Sequence, residues 1–375
     1  MRYTWLLFAI FITISTSCAD VEDWEERKII CPPRIEESET IDSEAEYDTI
    51  VCSFEKYMEL QPAVPNAQGS ACHGNYFVQG YNYNSCVTIY NLKEKSCLGT
   101  IDIPAPAPSA KTHSNTLNFG NQRYDSNDYF PLLYVSSGYP TNGVSHIYVY
   151  RLTKKILNET EMFSISLVQT ISLYDFGSWT EGIVDMASNN LWIKYQPDNS
   201  YGYACYKLPS VFDGDIDIYY KDYIKGFRLD RTPIGSRNQG HLYRNGKILL
   251  VTGVPSTKEI ISFISIDTEK ENRDLIIDLA EVGLVNPSNP CDNTFEPEGV
   301  IIYNGQLMIC YRTAIYSFTI EKKKKDGNMS KEDNIINSND DQYKMEYDIL
   351  GKPKSGVKGI RIVPNRNTYH KVIMQ

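Results

Sequence analysis

Glu296-Pro297-Glu298-Gly299-Val300-Ile301-Ile302-Tyr303-Asn304-Gly305-Gln306-Leu307-Met308-Ile309-Cys310-Tyr311 places a β-rich run on each side of Asn304-Gly305. Asn-Gly supplies the positive φ angles of a two-residue type I′ turn, so the runs read as a hairpin. A third run, 314–320, follows after a short polar break. A unit this small cannot bury both of its faces, so it requires sister units.

Sister units are present. Gln239-Gly240-His241-Leu242-Tyr243-Arg244-Asn245-Gly246-Lys247 repeats the order of polar-Gly entry, strand and Asn-Gly turn, with further strands expected at 260–267 and 274–279. Gln68-Gly69 opens another copy, turning at His73-Gly74-Asn75, with later strands at 86–92 and 97–103. Glu181-Gly182 opens a looser copy that turns at Ser188-Asn189-Asn190. His113-Ser114-Asn115 heads the fifth, followed by apolar runs at 132–136, 146–151 and 167–173. The entries lie roughly 45 to 70 residues apart. Radial repetition of four-stranded sheets protects sheet edges. The expected fold is therefore all-β, a single-domain β-propeller of five four-stranded blades over residues 67–320. The 28 Tyr and 13 Phe favour sheet, and no apolar stripe of helical period runs beyond about two turns.

The N-terminus reads as a secretory signal peptide, residues 1–17: one basic residue, an apolar run at 5–14, then Ser15-Thr16-Ser17-Cys18. The run is too short to span a membrane. Cys18 after small residues resembles a bacterial lipoprotein processing site, although Ser15 stands where an aliphatic residue is usual. The acidic stretch Ala19-Asp20-Val21-Glu22-Asp23 resembles the surface-export signal of Bacteroidetes lipoproteins. The expected location is the outer membrane or cell surface, held by lipid on Cys18; ordinary secretion or periplasmic release is the alternative. Residues 18–66 read as anchor and acidic tether with one possible closing strand, 47–54. Residues 321–345 read as a disordered polar loop and 346–375 as a strand-bearing tail, whose 359–363 run competes for the closing role.

A net charge of −10 argues against a nucleic-acid partner or an anionic membrane surface. Nine cysteines include no CxxC pair, so a zinc or dithiol redox site is not indicated. No phosphate loop, nucleophile elbow or HExxH is present, and no motif calls for a cofactor. Asn158-Glu159-Thr160 and Asn328-Met329-Ser330 match the glycosylation pattern, which matters only in a eukaryotic secretory host.

The chemistry is expected where the polar entries converge. Inner strands of a propeller run together around a channel, so Gln68, His113, Asn115, Glu181, Asp185, Gln239, His241, Glu296 and Glu298 should share one wet mouth. Tyr81, Tyr83, Tyr139, Trp179 and Tyr243 lie near enough in sequence to stack on a sugar. The structural alternative is that the glycines serve close packing and the polar groups cap backbone donors. A hydrolase reading takes its two carboxylates from Glu181, Asp185, Glu296 and Glu298. A metal reading would need His113, His241, Glu296 and Glu298, or Asp185, to meet in space.

The entries Gln68-Gly69, His113-Ser114-Asn115, Gln239-Gly240 and Glu296-Pro297-Glu298-Gly299 resemble the five-bladed propeller domain shared by teichoic-acid-biosynthesis-type proteins and phage receptor-binding proteins. They are also similar to propeller lipoproteins of Bacteroidetes. The unit at Glu181 departs from the pattern. The resemblance implies a link to cell-surface glycopolymers. The leading expectation is a non-enzymatic surface lipoprotein that binds a glycan or a surface protein. A glycoside hydrolase or lyase, and a structural subunit of an outer-membrane complex, are the alternatives.

Overall fold

The computed structural model describes residues 34–35, 47–62, 66–82, 86–104, 113–114, 116–137, 140, 142–177, 179–196, 201–229, 238–253, 259–267, 269–277, 279, 295–324, 361–362 and 372–373. The expected lipidation site at Cys18 and most of the tether lie outside them; of the loop expected at 321–345, residues 321–324 instead continue the strand Ala314–Lys324, paired with 47–50, and 325–345 lie outside the described residues.

Five four-stranded blades form a β-propeller. The first is Ala67–His73, Tyr76–Tyr81, Cys86–Asn91 and Ser96–Asp102. The second is Leu117–Phe119, Leu133–Ser136, Ser145–Leu157 and Thr160–Tyr174. The third is Glu181–Asp185, Asn190–Tyr195, Tyr201–Lys207 and Lys225–Leu229. The fourth is Asn238–Arg244, Lys247–Thr252, Glu259–Ser265 and Lys270–Ile277. The fifth takes three strands from the C-terminal part of the propeller, Pro297–Tyr303, Gln306–Tyr311 and Ala314–Lys324, and its outer strand from the N-terminal side, Tyr47–Glu59. That outer strand also pairs in parallel with the fourth blade's outer strand, at Ile276↔Ile50 and Ile277↔Val51. The short strands at 361–362 and 372–373 pair with each other.

The turns follow from local sequence. Asn304 (φ 49) and Gly305 (φ 77) sit between the paired residues Tyr303 and Gln306. Asn245 (φ 49) and Gly246 (φ 75) sit between Arg244 and Lys247. Both turns have two positive φ values, which is the type I′ pattern.

Among the described residues, apolar side chains fill five clusters between adjacent blades and a small sixth, Ala67, Tyr81 and Cys86, within the first. Along the third blade, Val184, Leu191, Ile193 and Ala204 join the cluster shared with the second blade. Ile183, Trp192, Tyr203 and Cys205, one residue out of step, join Tyr243, Ile248 and Ile264 of the fourth. A strand turns successive side chains to opposite faces. Because both faces are buried, the strands read as near-continuous apolar runs rather than alternating ones. The ring closes in the same way: Ile301, Met308 and Cys310 of the fifth blade pack with Phe77 and Tyr90 of the first.

The glycines of the polar entries allow the inner strands to meet. A Cβ on Gly240 would stand 2.5 Å from Gly299 Cα, and one on Gly299 would collide with Ser70 Oγ. The inner strands of the fourth, fifth and first blades therefore form a waist in the channel.

Candidate functional site at the channel mouth

Two polar groups lie at the entry end of the inner strands, on the mouth side of the waist. The first is centred on Glu181, which is 1 % exposed. Thr116 Oγ1, just ahead of the second blade's inner strand, donates to Glu181 Oε2 at 2.7 Å. His241 Nδ1, from the fourth blade's inner strand, stands 2.7 Å from the same oxygen. Lys194 Nζ donates to Glu181 Oε1 at 3.2 Å and to the Trp179 carbonyl at 3.3 Å. Burial pushes the Glu181 carboxyl up, but the charges of Lys194 and His241, with the hydrogen bonds from His241 and Thr116, outweigh it. The net effect holds Glu181 well below the usual carboxylate range, so it stays ionised.

The second group is centred on Arg312, directly after the fifth blade's second strand. Arg312 Nε donates to Glu298 Oε1 at 2.8 Å and Nη2 donates to Glu296 Oε2. Gln68 Nε2 reaches Glu298 Oε1 at 3.3 Å, and Gln239 Nε2 reaches Glu296 Oε1 at 3.0 Å. The fourth, fifth and first blades are thus tied around one guanidinium. Burial pulls the Arg312 pKa down, and the two glutamates more than reverse this, leaving it raised.

Of the residues expected at the mouth, Gln68, Glu181, Gln239, His241, Glu296 and Glu298 are brought into these two groups. All six are buried, so the mouth is drier than its polar sequence implies. His113 lies ahead of the inner strand rather than opening it: it bridges Asn82, donates its backbone N–H to Ser137 O, and packs edge-on against Trp179 at 5.6 Å. Asn115 lies outside the described residues, as do Tyr83 and Tyr139. Asp185 is at the far end of the strand that Glu181 opens, about 13 Å away at 3.3 Å per residue. There its Oδ1 accepts the Ala187 and Ser188 amides at 3.0 Å each. The Asp185 charge, after burial, helps push the Tyr243 hydroxyl up. Glu181 and Asp185 are therefore too far apart to flank a glycosidic bond. Tyr81 is fully buried on Thr88 Oγ1 at 2.5 Å, so among the described residues the rings with exposed surface at this end include Trp179 and the half-buried Tyr201, whose ring centre lies 5.5 Å from Lys194 Nζ.

Two residues central to the mouth, Lys194 and Arg312, were not among the sequence candidates. Lys194 belongs to a second strand, one step outward, and Arg312 directly follows one. The available signal was register: the second strand returns to the entry end, so Lys194 is the Cα partner of Glu181, and Arg312 follows Tyr311, the partner of Pro297.

Among the described residues, no group of three or more His, Cys, Asp and Glu side chains is arranged to hold a metal ion. Cys72, Cys86, Cys97, Cys205 and Cys310 are free thiols. Burial pushes Cys72 and Cys310 up to about 12, which removes nucleophilic character at neutral pH. Beyond the waist the channel holds a cavity of about 70 Å³ lined in part by Ser70, Asn118 and Tyr243, with room for waters but not for a sugar ring.

No family model and no curated protein matches the chain. Solved structures do. The Myxococcus xanthus glutaminyl cyclase is 11% identical, with a TM-score of 0.41, covering 73% of this chain and 97% of that one. Apo AztD from Citrobacter koseri is 11% identical, with a TM-score of 0.29, covering 57% of this chain and 49% of that one. The computationally designed Ika8 protein is 8% identical, with a TM-score of 0.31, covering 70% of this chain and 99% of that one. The five blades are assigned from the strand pairing above, not from these scores.

Proposed function

We propose that the chain is a non-enzymatic binding propeller, lipid-anchored through Cys18 at the cell surface, that takes a glycan or a protein at the entry mouth. The observation that carries this reading is that Glu181, Glu296 and Glu298 already have their cations: Lys194 and His241 for the first, Arg312 for the other two. A glycoside hydrolase needs one carboxyl that delivers a proton and one whose oxygens are open to water or the sugar. Glu181 is held ionised, and the Arg312 guanidinium holds one oxygen of Glu296 and one of Glu298, with Gln239 on the second oxygen of Glu296. Among the described residues, the groups with exposed surface at this end include the Trp179 ring, 36% exposed, the half-buried His113 and Tyr201, and the Arg312 side chain, 21% exposed. An indole face beside hydrogen-bonding polar groups suits a hydroxyl-rich ligand or a polar peptide.

The test is binding of the purified protein to a glycan array, with Trp179→Ala as the comparison. Loss of signal in the variant with an unchanged melting temperature supports the reading. Turnover of any glycan by the wild type that disappears in Glu298→Gln replaces it with the hydrolase.

A further inference from the structure

The opposite end of the channel carries a different surface. Because the four strands of a blade alternate in direction, the connection between its first and second strands and that between its third and fourth lie away from the mouth. Among the described residues, every exposed large apolar side chain except Trp179 belongs to or flanks such a connection of the second or third blade.

Phe212 is the most exposed of them, at 72%. It sits on the short 3-10 turn Val211–Asp213, which is held rigidly without its ring. Ser210 Oγ accepts the Phe212 amide at 3.2 Å and Asp213 Oδ2 accepts the Ser210 amide at 3.2 Å. Gln122 accepts the Val211 amide at 3.2 Å and donates to Pro209 O at 2.9 Å. Gln169 Nε2 donates to Ser210 O at 2.9 Å and to Gly214 O at 2.6 Å. The turn would be as well held with a polar residue at 212, so the fold does not account for a phenyl ring in water there.

Tyr124, 40% exposed, lies beside it with ring centroids 5.8 Å apart and planes 43° apart. The Arg151 guanidinium stacks 4.9 Å from the Tyr124 ring centre while Nε and Nη2 hold Asp128 at 2.9 and 2.8 Å. Exposed Asp125 and Asp213 each follow one of the rings in sequence; Asp125 Oδ1 accepts the Asn127 amide at 2.9 Å and Asp213 Oδ2 the Ser210 amide, which leaves Asp125 Oδ2 and Asp213 Oδ1 for a ligand.

We infer that Phe212 and Tyr124 form a second binding site, a platform for the apolar face of a neutral sugar ring, with Asp125 and Asp213 receiving its hydroxyls. Two neighbouring aromatic rings, one on a rigid turn and one backed by Arg151, match the C–H face of a pyranose, and carboxylates at the margin match its equatorial hydroxyls. An anionic glycan or an anionic lipid surface would meet these carboxylates with like charge. A protein docking face of the usual ~800 Å² per partner would have to cover the same carboxylates and leave them desolvated. The site is independent of the mouth.

The experiment is native affinity electrophoresis of the purified protein through gels containing dextran, a soluble β-1,3-glucan or galactomannan, with alginate as the anionic control. The wild type should be retarded by at least one neutral polymer and not by alginate. Phe212→Ala and Tyr124→Ala should each weaken that retardation about tenfold, and Trp179→Ala, at the mouth, should leave it unchanged. Phe212→Ala removes an exposed ring and should keep the wild-type melting temperature, so its result stands even if Tyr124→Ala folds poorly. Absence of retardation by every neutral polymer overturns the proposal, as does retardation that survives Phe212→Ala. Retardation lost only in Trp179→Ala keeps the mouth and removes the platform. Self-association in sedimentation that Phe212→Ala abolishes makes the patch a protein interface instead.

Discussion

Glu181 and Lys194 are Cα partners across the first hairpin of the third blade, and their side chains meet at 3.2 Å with 1% and 2% exposure. The pair joins Thr116 and His241, so one carboxylate ties the second, third and fourth blades. Breaking a buried pair from one side leaves an uncompensated charge, at about 3–5 kcal/mol. Glu181→Gln should therefore destabilise by that order near neutral pH. The folded-state pKa of Glu181 is depressed, so its contribution is present above the unfolded value of about 4.3 and is lost as pH falls toward the folded value. The gap between wild type and Glu181→Gln in urea titrations should be full at pH 7 and shrink below about pH 4. A gap that does not change with pH would mean that Glu181 is not held by charge.

The waist gives a steric prediction. Gly240→Ala puts a methyl group against the backbone of Gly299, which no rotamer change relieves. Overpacking of this kind costs about 1–3 kcal/mol, and the upper end is expected because the neighbour is backbone. A melting temperature equal to wild type would show that the inner strands are not in contact at this point.

How far the fold was legible depended on which residues stated their geometry. Asn245-Gly246 and Asn304-Gly305 did, because few dipeptides accept two positive φ angles, and they fixed the hairpin registers. The polar-Gly entries located the inner strands of four blades. The second blade was harder: its inner strand is only Leu117–Phe119, so His113 was read as the entry when it lies ahead of the strand. The third blade's last two strands gave no clear sequence signal, because residues 208–224 interrupt them with two short 3-10 turns and an added strand on the second blade's edge. At the site, sequence found the carboxylates and amides but not Lys194 or Arg312. Identifying a cation partner requires the register between strands, and a strand read alone does not carry it. The same gap hid the separation of Asp185 from Glu181, since adjacency in sequence along a strand is distance in space.

The turn at 304–305 is a direct probe of that register. Gly305 has φ 77, a conformation that a β-branched residue resists. Gly305→Val should cost about 1 kcal/mol or more, and Gly305→Asn clearly less, since Asn tolerates positive φ. Equal melting temperatures for the two variants would place the turn elsewhere.

Lipid anchoring is tested separately from folding. Wild type should partition with membranes when expressed in a bacterium with a lipoprotein pathway, and Cys18→Ala should not. Equal recovery of both proteins from the medium would assign ordinary secretory cleavage.

Glu259 gives the last prediction, of opposite sign to Glu181. It is wholly buried in the fourth blade, with Tyr311 of the fifth donating to Oε2 at 2.7 Å and no hydrogen-bond partner for Oε1 among the described residues. Burial pushes its carboxyl well above the usual range, and the Tyr311 hydrogen bond offsets only part of this. The folded state therefore keeps a proton that the unfolded chain releases above about pH 4.3. The folded state binds more protons, so this group makes stability fall as pH rises from about 4.3 toward the folded value. Glu259→Gln keeps the acceptor for Tyr311 and removes the titration. The variant should gain on wild type as pH rises from 4 to 7, at up to about 1.4 kcal/mol per pH unit until the folded value is reached. Thermal melts of both proteins at half-unit pH steps measure this directly. A difference that stays flat across the range would mean that Glu259 is charged in the folded protein, and that a cation partner holds it between the fourth and fifth blades.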